Sequence, residues 1–310
     1  MTQTIDDKLL FINFGGNLIM KNQKNRADLE FIVILLAIFI VMILLSFSNS
    51  YAGLKGADAA IPTIIKTEHP CKNMITNSKA TIDYSNMADG YVMCQYVEKT
   101  DKKIKVMITG PTTSYTYNLS GNDWSAFPLS DGNGKYTIKV YKNVSGTKYG
   151  LALSETLDVK LKDEFAPFLL PNQYVNYEKS TKIAQLSKDV TNGSSTEQDK
   201  ILAIYNYVIN NYTYDKEKAK TVQSGYLPDI DKIIESKKGI CFDYAALMTS
   251  LLRVNNIPCK LVVGYAGTQY HAWISVYTQK EGWINGAIYF DGKNWKRVDP
   301  TFLSTGKSSK

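Results

Sequence analysis

The sequence predicts an α+β protein: an N-terminal hydrophobic helix, then a small all-β sandwich-like domain, then a C-terminal domain whose helices precede its strands. Three observations predict it. Residues 31–45 (FIVILLAIFIVMILL) form an unbroken apolar run. Between residues 81 and 162, apolar residues alternate within short segments separated by turn clusters. Beyond residue 178 the apolar spacing becomes helical, and strand parity returns around His271.

The elements follow in order. Residues 1–30 read as a cytoplasmic tail and residues 31–52 as a signal peptide or membrane anchor. Phe47 extends the apolar run, and Lys21, Lys24 and Arg26 precede it. That charge placement keeps the N-terminus inside and exports the remainder. Ser50-Tyr51-Ala52 offers small residues for signal peptidase, so cleavage and retention both stay open. The body is therefore expected either anchored through residues 31–47 and facing outside, or secreted to the cell surface. Residues 53–80 read as a tether. Cys71 and Cys94 fit export and can form a disulfide there, a closure that stabilises by about 3 kcal/mol in the chain-entropy model.

The sandwich-like domain is assigned to residues 81–162. Ile104, Val106 and Ile108 recur at period two, as do Tyr136, Ile138 and Val140. Turns such as Ser120-Gly121-Asn122-Asp123 and Ser130-Asp131-Gly132-Asn133-Gly134 separate the strands. Such spacing fits either a spacer or a binding module. Residues 163–176, with Pro167 and Pro171, read as the linker into a C-terminal domain at residues 163–310.

In that domain a first helix is expected over residues 178–191. A second is expected from Ser195, with Gln198 completing a capping box and Ile201, Ile204, Tyr205 and Val208 forming one stripe. A short helix follows Pro228. Then come three residues with chemical potential. Cys241 opens a helix after Gly239, where the dipole and unpaired N–H groups lower a thiol pKa and receive an oxyanion. Cys241, Ala245, Met248 and Leu252 share one stripe. His271 lies near a strand start, on the face opposite Ala272, Ile274 and Val276. Asp299 precedes Pro300, which stops the strand and holds the carboxylate extended. A thiol, an imidazole and a carboxylate are the minimal set for nucleophilic acyl chemistry.

Composition narrows the alternatives. The chain has 310 residues, a net charge of +7 and only two histidines, His69 and His271. With no clustered cysteine pairs either, neither a metal nor a cofactor site is expected. The basic excess forms no arginine cluster or aromatic-interleaved stripe, so nucleic acid is not an expected partner. Outside a cell, an anionic cell wall or membrane surface is a simpler one, and the leading reading is that the lysines keep a tyrosine-rich surface soluble.

The run Gly239-Ile240-Cys241-Phe242-Asp243-Tyr244-Ala245, followed by Leu251-Leu252-Arg253, Ile257-Pro258, Gly264-Tyr265, His271-Ala272-Trp273 and Val298-Asp299-Pro300-Thr301, resembles the transglutaminase-like superfamily core. The resemblance covers about residues 195–303. It implies a papain-like arrangement, with a Cys at a helix N-terminus facing an antiparallel sheet that carries His and Asp. Cys241 would be the nucleophile, His271 the base and then the acid, and Asp299 the orienting group. Residues 279–294 are more than a tight hairpin needs. A second oxyanion donor is unassigned; Tyr214 and Tyr226 are candidates. The expected activity is cysteine-dependent acyl transfer, chiefly hydrolysis of peptide or amide bonds in a peptide, protein or cell-wall peptide. The alternatives are cross-linking by a transglutaminase and a non-catalytic surface-binding module.

Overall fold

The computed structural model describes residues 60–266, 269–290 and 295–297. The expected N-terminal helix and Asp299 lie outside these residues. Among the described residues, no helix is long and apolar enough to cross a membrane.

The first half is two four-stranded antiparallel sheets around one core. Strands β1 (Met74–Thr76), β2 (Ala80–Asp83), β3 (Tyr91–Tyr96) and β6 (Ser125–Pro128) pair in the order β1-β2-β3-β6. Strands β4 (Ile104–Thr109), β5 (Ser114–Leu119), β7 (Gly134–Ser145) and β8 (Lys148–Val159) pair in the order β5-β4-β7-β8. Alternation decides the inside: Ile82, Val92, Cys94 and Phe127 of one sheet meet Val106, Ile108, Ile138 and Val140 of the other. The sheet begins before residue 81, because β1 lies in the segment expected to be a tether.

The Cys71–Cys94 disulfide does not form; both are free thiols. Strand parity is the reason. Cys94 points into the core beside Val92 and Tyr96, whereas Cys71 is exposed, its thiol donating to the His69 carbonyl.

The linker is anchored rather than loose. Val175 and Tyr177 are buried in the C-terminal core, and the Tyr174 ring bridges both halves. Its centroid is 5.6 Å from Tyr117 of β5 and 5.7 Å from Phe242. Arg253, itself buried, donates to the Leu170 carbonyl of the linker and to the Cys259 carbonyl through Nε at 3.1 Å and Nη2 at 2.7 Å.

In the C-terminal half, helices α1 (Ile183–Thr191), α2 (Glu197–Asn211), α3 (Lys216–Thr221), α4 (Ile230–Ser236) and α5 (Cys241–Val254) precede a sheet. Its strands β11 (Cys259–Ala266), β12 (Gln269–Thr278), β13 (Gly282–Phe290) and β14 (Trp295–Arg297) are antiparallel and lie in sequence order. Two helix starts differ from expectation. The segment before α1 is a 3-10 turn, Tyr177–Lys179, so α1 begins later than residue 178. Thr196, not Ser195, caps α2, and Asp199 rather than Gln198 closes the capping box. Asp at that position also favours the positive end of the helix.

Helix α5 is buried from Asp243 to Arg253, not along one stripe. Helices α1, α2 and α4 cover one side and strands β11 and β12 the other. A helix covered all round needs apolar residues all round, which Leu247, Met248, Leu251 and Leu252 supply. Most of residues 279–294 folds as β13, joined to β12 by a tight turn at Gly282 (φ 69°).

Candidate active site

Cys241 is the first residue of α5, as its sequence context predicts, with extended Ile240 as the cap. Two short strands set this entry. β9 (Thr213–Tyr214) and β10 (Lys238–Gly239) pair in parallel, with Gly239 opposite Tyr214. The Asp215 N–H donates to the Gly239 carbonyl at 2.8 Å. Gly239 is required by proximity rather than by an unusual φ: a Cβ there would lie 2.6 Å from the Asp243 Cβ. The Ile240 N–H then donates to Asp243 Oδ2 at 2.8 Å, capping the helix that carries the thiol.

The thiol is half-buried against β12. Strand β12 pairs with β11 from Gln269 to Val276, but among the described residues its register with β13 begins only at Ile274. The backbone around His271 and Ala272 is thus left for α5, and the Ala272 N–H reaches the Cys241 thiol. Tyr214 also reaches it, its phenol interacting with both the thiol and the Cys241 N–H. Burial raises the Tyr214 phenol, and the thiol beside it adds to that rise.

The expectation of a lowered thiol pKa is not met. Burial raises Cys241; the Ala272 and Phe242 N–H groups pull it down, and the Asp243 carboxylate pushes it back up. Lys238, three residues before the thiol, is paired with Asp215 at 3.5 Å.

His271 is buried on β12 opposite Gly264, immediately before the residue that touches the thiol. Asp299 lies outside the described residues, two positions past the end of β14. The two tyrosine candidates separate: Tyr214 is at the thiol, whereas the Tyr226 hydroxyl donates to Asp243 Oδ1 at 2.5 Å. The carboxylate network behind the thiol, which Lys218 joins at 2.6 Å, escaped sequence reasoning. Asp243 two residues past the Cys was its visible signal.

A nucleophile at a helix N-terminus, a neighbouring imidazole strand and converging N–H groups are the parts of a thiol acyl-transfer site. The transglutaminase-like superfamily core model matches residues 184–300. Residues 184–300 thus carry a transglutaminase-like core.

Three proteins similar to the chain illustrate the range. The chain is 23% identical over 196 residues to the uncharacterized protein YebA of Bacillus subtilis, an overlap of 56% of this chain and 26% of YebA. It is 27% identical over 86 residues to a protein-glutamine gamma-glutamyltransferase of Pseudomonas aeruginosa, covering 23% of this chain and 11% of that one. The chain thus spans about a quarter or less of either relative. Among solved structures, a Cytophaga hutchinsonii protein described as a candidate cysteine protease is similar at 20% identity and a TM-score of 0.34, covering 71% of this chain and 68% of that one.

Proposed function

We propose that this protein is an extracytoplasmic cysteine-dependent acyl-transfer enzyme that hydrolyses peptide or amide bonds. Cys241 attacks the carbonyl, His271 takes the thiol proton and returns it to the leaving amine, and Asp299 orients the imidazole. The acyl-enzyme is a thioester, which water then resolves. The observation that carries this reading is the setting of Cys241. It is the first residue of a buried helix, and the Ala272 N–H, the Phe242 N–H and the Tyr214 phenol converge on it. The same donors supply an oxyanion hole once the sulfur has bonded to carbon.

A peptide-like substrate is supported by β11, an outer strand of its sheet. Val263 of β11 is directly opposite Ala272, and both Val263 and Tyr265 are exposed. Such an edge can pair with an extended peptide backbone. Export is supported by the apolar run at residues 31–45 after Lys21, Lys24 and Arg26.

The test offers a peptide and peptidoglycan library to wild type and Cys241→Ala, with and without a primary amine. Mass spectrometry then separates cleavage, deamidation and amine adducts. Hydrolysis products from wild type, reduced about 1000-fold or more in the variant, are expected. Amine adducts in preference to hydrolysis would reassign the acceptor to an amine, as in a transglutaminase. Identical profiles from both proteins would sink the enzyme reading and leave a binding module.

A further inference from the structure

Behind the thiol lies a charge pair that the acyl-transfer chemistry does not itself use. The Asp243 side chain is wholly buried. Its Oδ2 accepts from the Ile240 N–H at 2.8 Å and from Lys218 Nζ at 2.6 Å, and its Oδ1 accepts from the Tyr226 hydroxyl. Lys218 Nζ also donates to the Tyr226 oxygen at 2.7 Å and lies 4.3 Å from the centre of that ring. Lys218 comes from α3, whose cap residue Asp215 is bonded through its own N–H to Gly239. Both attachments of this short helix therefore end within two residues of Cys241.

A buried carboxylate with one cation on it is a compensated charge; without the cation it is an unpaired one beside a nucleophile that must ionise. We propose that Lys218 is a positioning residue for Cys241: its ammonium neutralises the Asp243 carboxylate, and so sets how much thiolate the helix N-terminus can hold. Tyr226 fixes the carboxylate in the orientation that caps the helix. Among the described residues, the neighbouring titratable groups include Tyr214 on β9 and, one position before Ala272 on β12, His271, with the Asp215–Lys238 pair beyond Gly239. Among the described residues, Lys218 is the cation paired with Asp243, the carboxylate whose charge opposes ionisation of the thiol. The consequence for catalysis rests on the acyl-transfer reading; the effect on the thiol does not.

The experiment measures iodoacetamide alkylation of Cys241 against pH in the full chain. It carries Cys71→Ser, because Cys71 is exposed and would label as well. Lys218→Met should raise the alkylation midpoint by about one unit, a roughly tenfold slower reaction at neutral pH. Asp243→Asn should lower the midpoint, since Asn still accepts the Ile240 N–H while the anion is gone. The double variant should return close to wild type, and Lys218→Arg should stay there. A merely structural Lys218 would lower the melting temperature and leave the midpoint in place, which overturns the proposal. If Lys218→Met does not fold, the single Asp243→Asn decides: an unchanged or raised midpoint overturns it equally. Absence of turnover with every substrate would refute the acyl-transfer reading while these midpoints still report on the pair.

Discussion

The two halves bury a carboxylate in different ways. In the sandwich, Asp83 accepts from the N–H and hydroxyl of Ser85, in the turn that follows it, and from the N–H of Cys71, ahead of β1. In the C-terminal half, Asp243 gathers partners from α3, from the loop containing Tyr226 and from Ile240, the cap residue before Cys241. The first arrangement ties one turn to the chain entering β1. The second holds three separate segments in place around one thiol. Buried polar groups with distant partners mark where a fold spends stability on a site, and here they surround the start of α5.

Core substitutions test that contrast most strongly. Leu251→Ala removes a side chain buried on every side of α5 and should cost about 2–5 kcal/mol, whereas Ile138→Val in the sandwich should cost about 0.5–1.5 kcal/mol. Guanidinium unfolding measures both. A cost for Leu251→Ala as small as the sandwich variant's would mean that α5 is not the keystone of its half.

Next comes alkaline pH. Burial pushes the Cys259 thiol up to about 11, from an ordinary value of 9.0. The native state thus keeps a proton that the unfolded chain releases, and stability falls as pH rises from 9 to 11. Comparing wild type with Cys259→Ala isolates the effect, on the order of 2–3 kcal/mol across that window. Parallel stability curves for the two proteins would show that Cys259 ionises as freely in the native state as in the unfolded one.

The smallest effect probes the join between the halves. Tyr174→Leu keeps apolar bulk but removes the ring contacts to Tyr117 and Phe242, and should cost about 0.5–1.5 kcal/mol. It should also separate the unfolding of the two halves, seen as two transitions where wild type shows one. A single unchanged transition would make the halves independent of that ring.

Much of this was legible before the structure. The helix beginning at Cys241, the strand carrying His271 and the alternation that builds the sandwich all follow from local periodicity. The cap at Thr196 rather than Ser195 shows the limit of that signal, since adjacent hydroxyls both satisfy the pattern and only backbone geometry chooses. The Cys71–Cys94 pairing failed because parity within β3, not spacing between cysteines, decides where Cys94 points. Two features were beyond local reading. The Ala272 N–H at the thiol is backbone, freed by where β13 begins to pair. The Lys218–Asp243 bond joins residues 25 apart that only the β9–β10 pairing brings together.

Arg253 also bears on the order in which the chain matures. Its guanidinium joins the Leu170 carbonyl, 83 residues earlier, to the Cys259 carbonyl at the start of β11. On a ribosome the sandwich is complete by residue 159, and domains fold as units from the N-terminal end. The linker must then wait about 90 residues, at ~5–20 residues per second several seconds or more, for its lock to be synthesised. During that interval Tyr174 and Val175 have no second core to enter. A nascent chain halted before Cys259 should therefore be cut by protease between residues 163 and 176 while its sandwich survives.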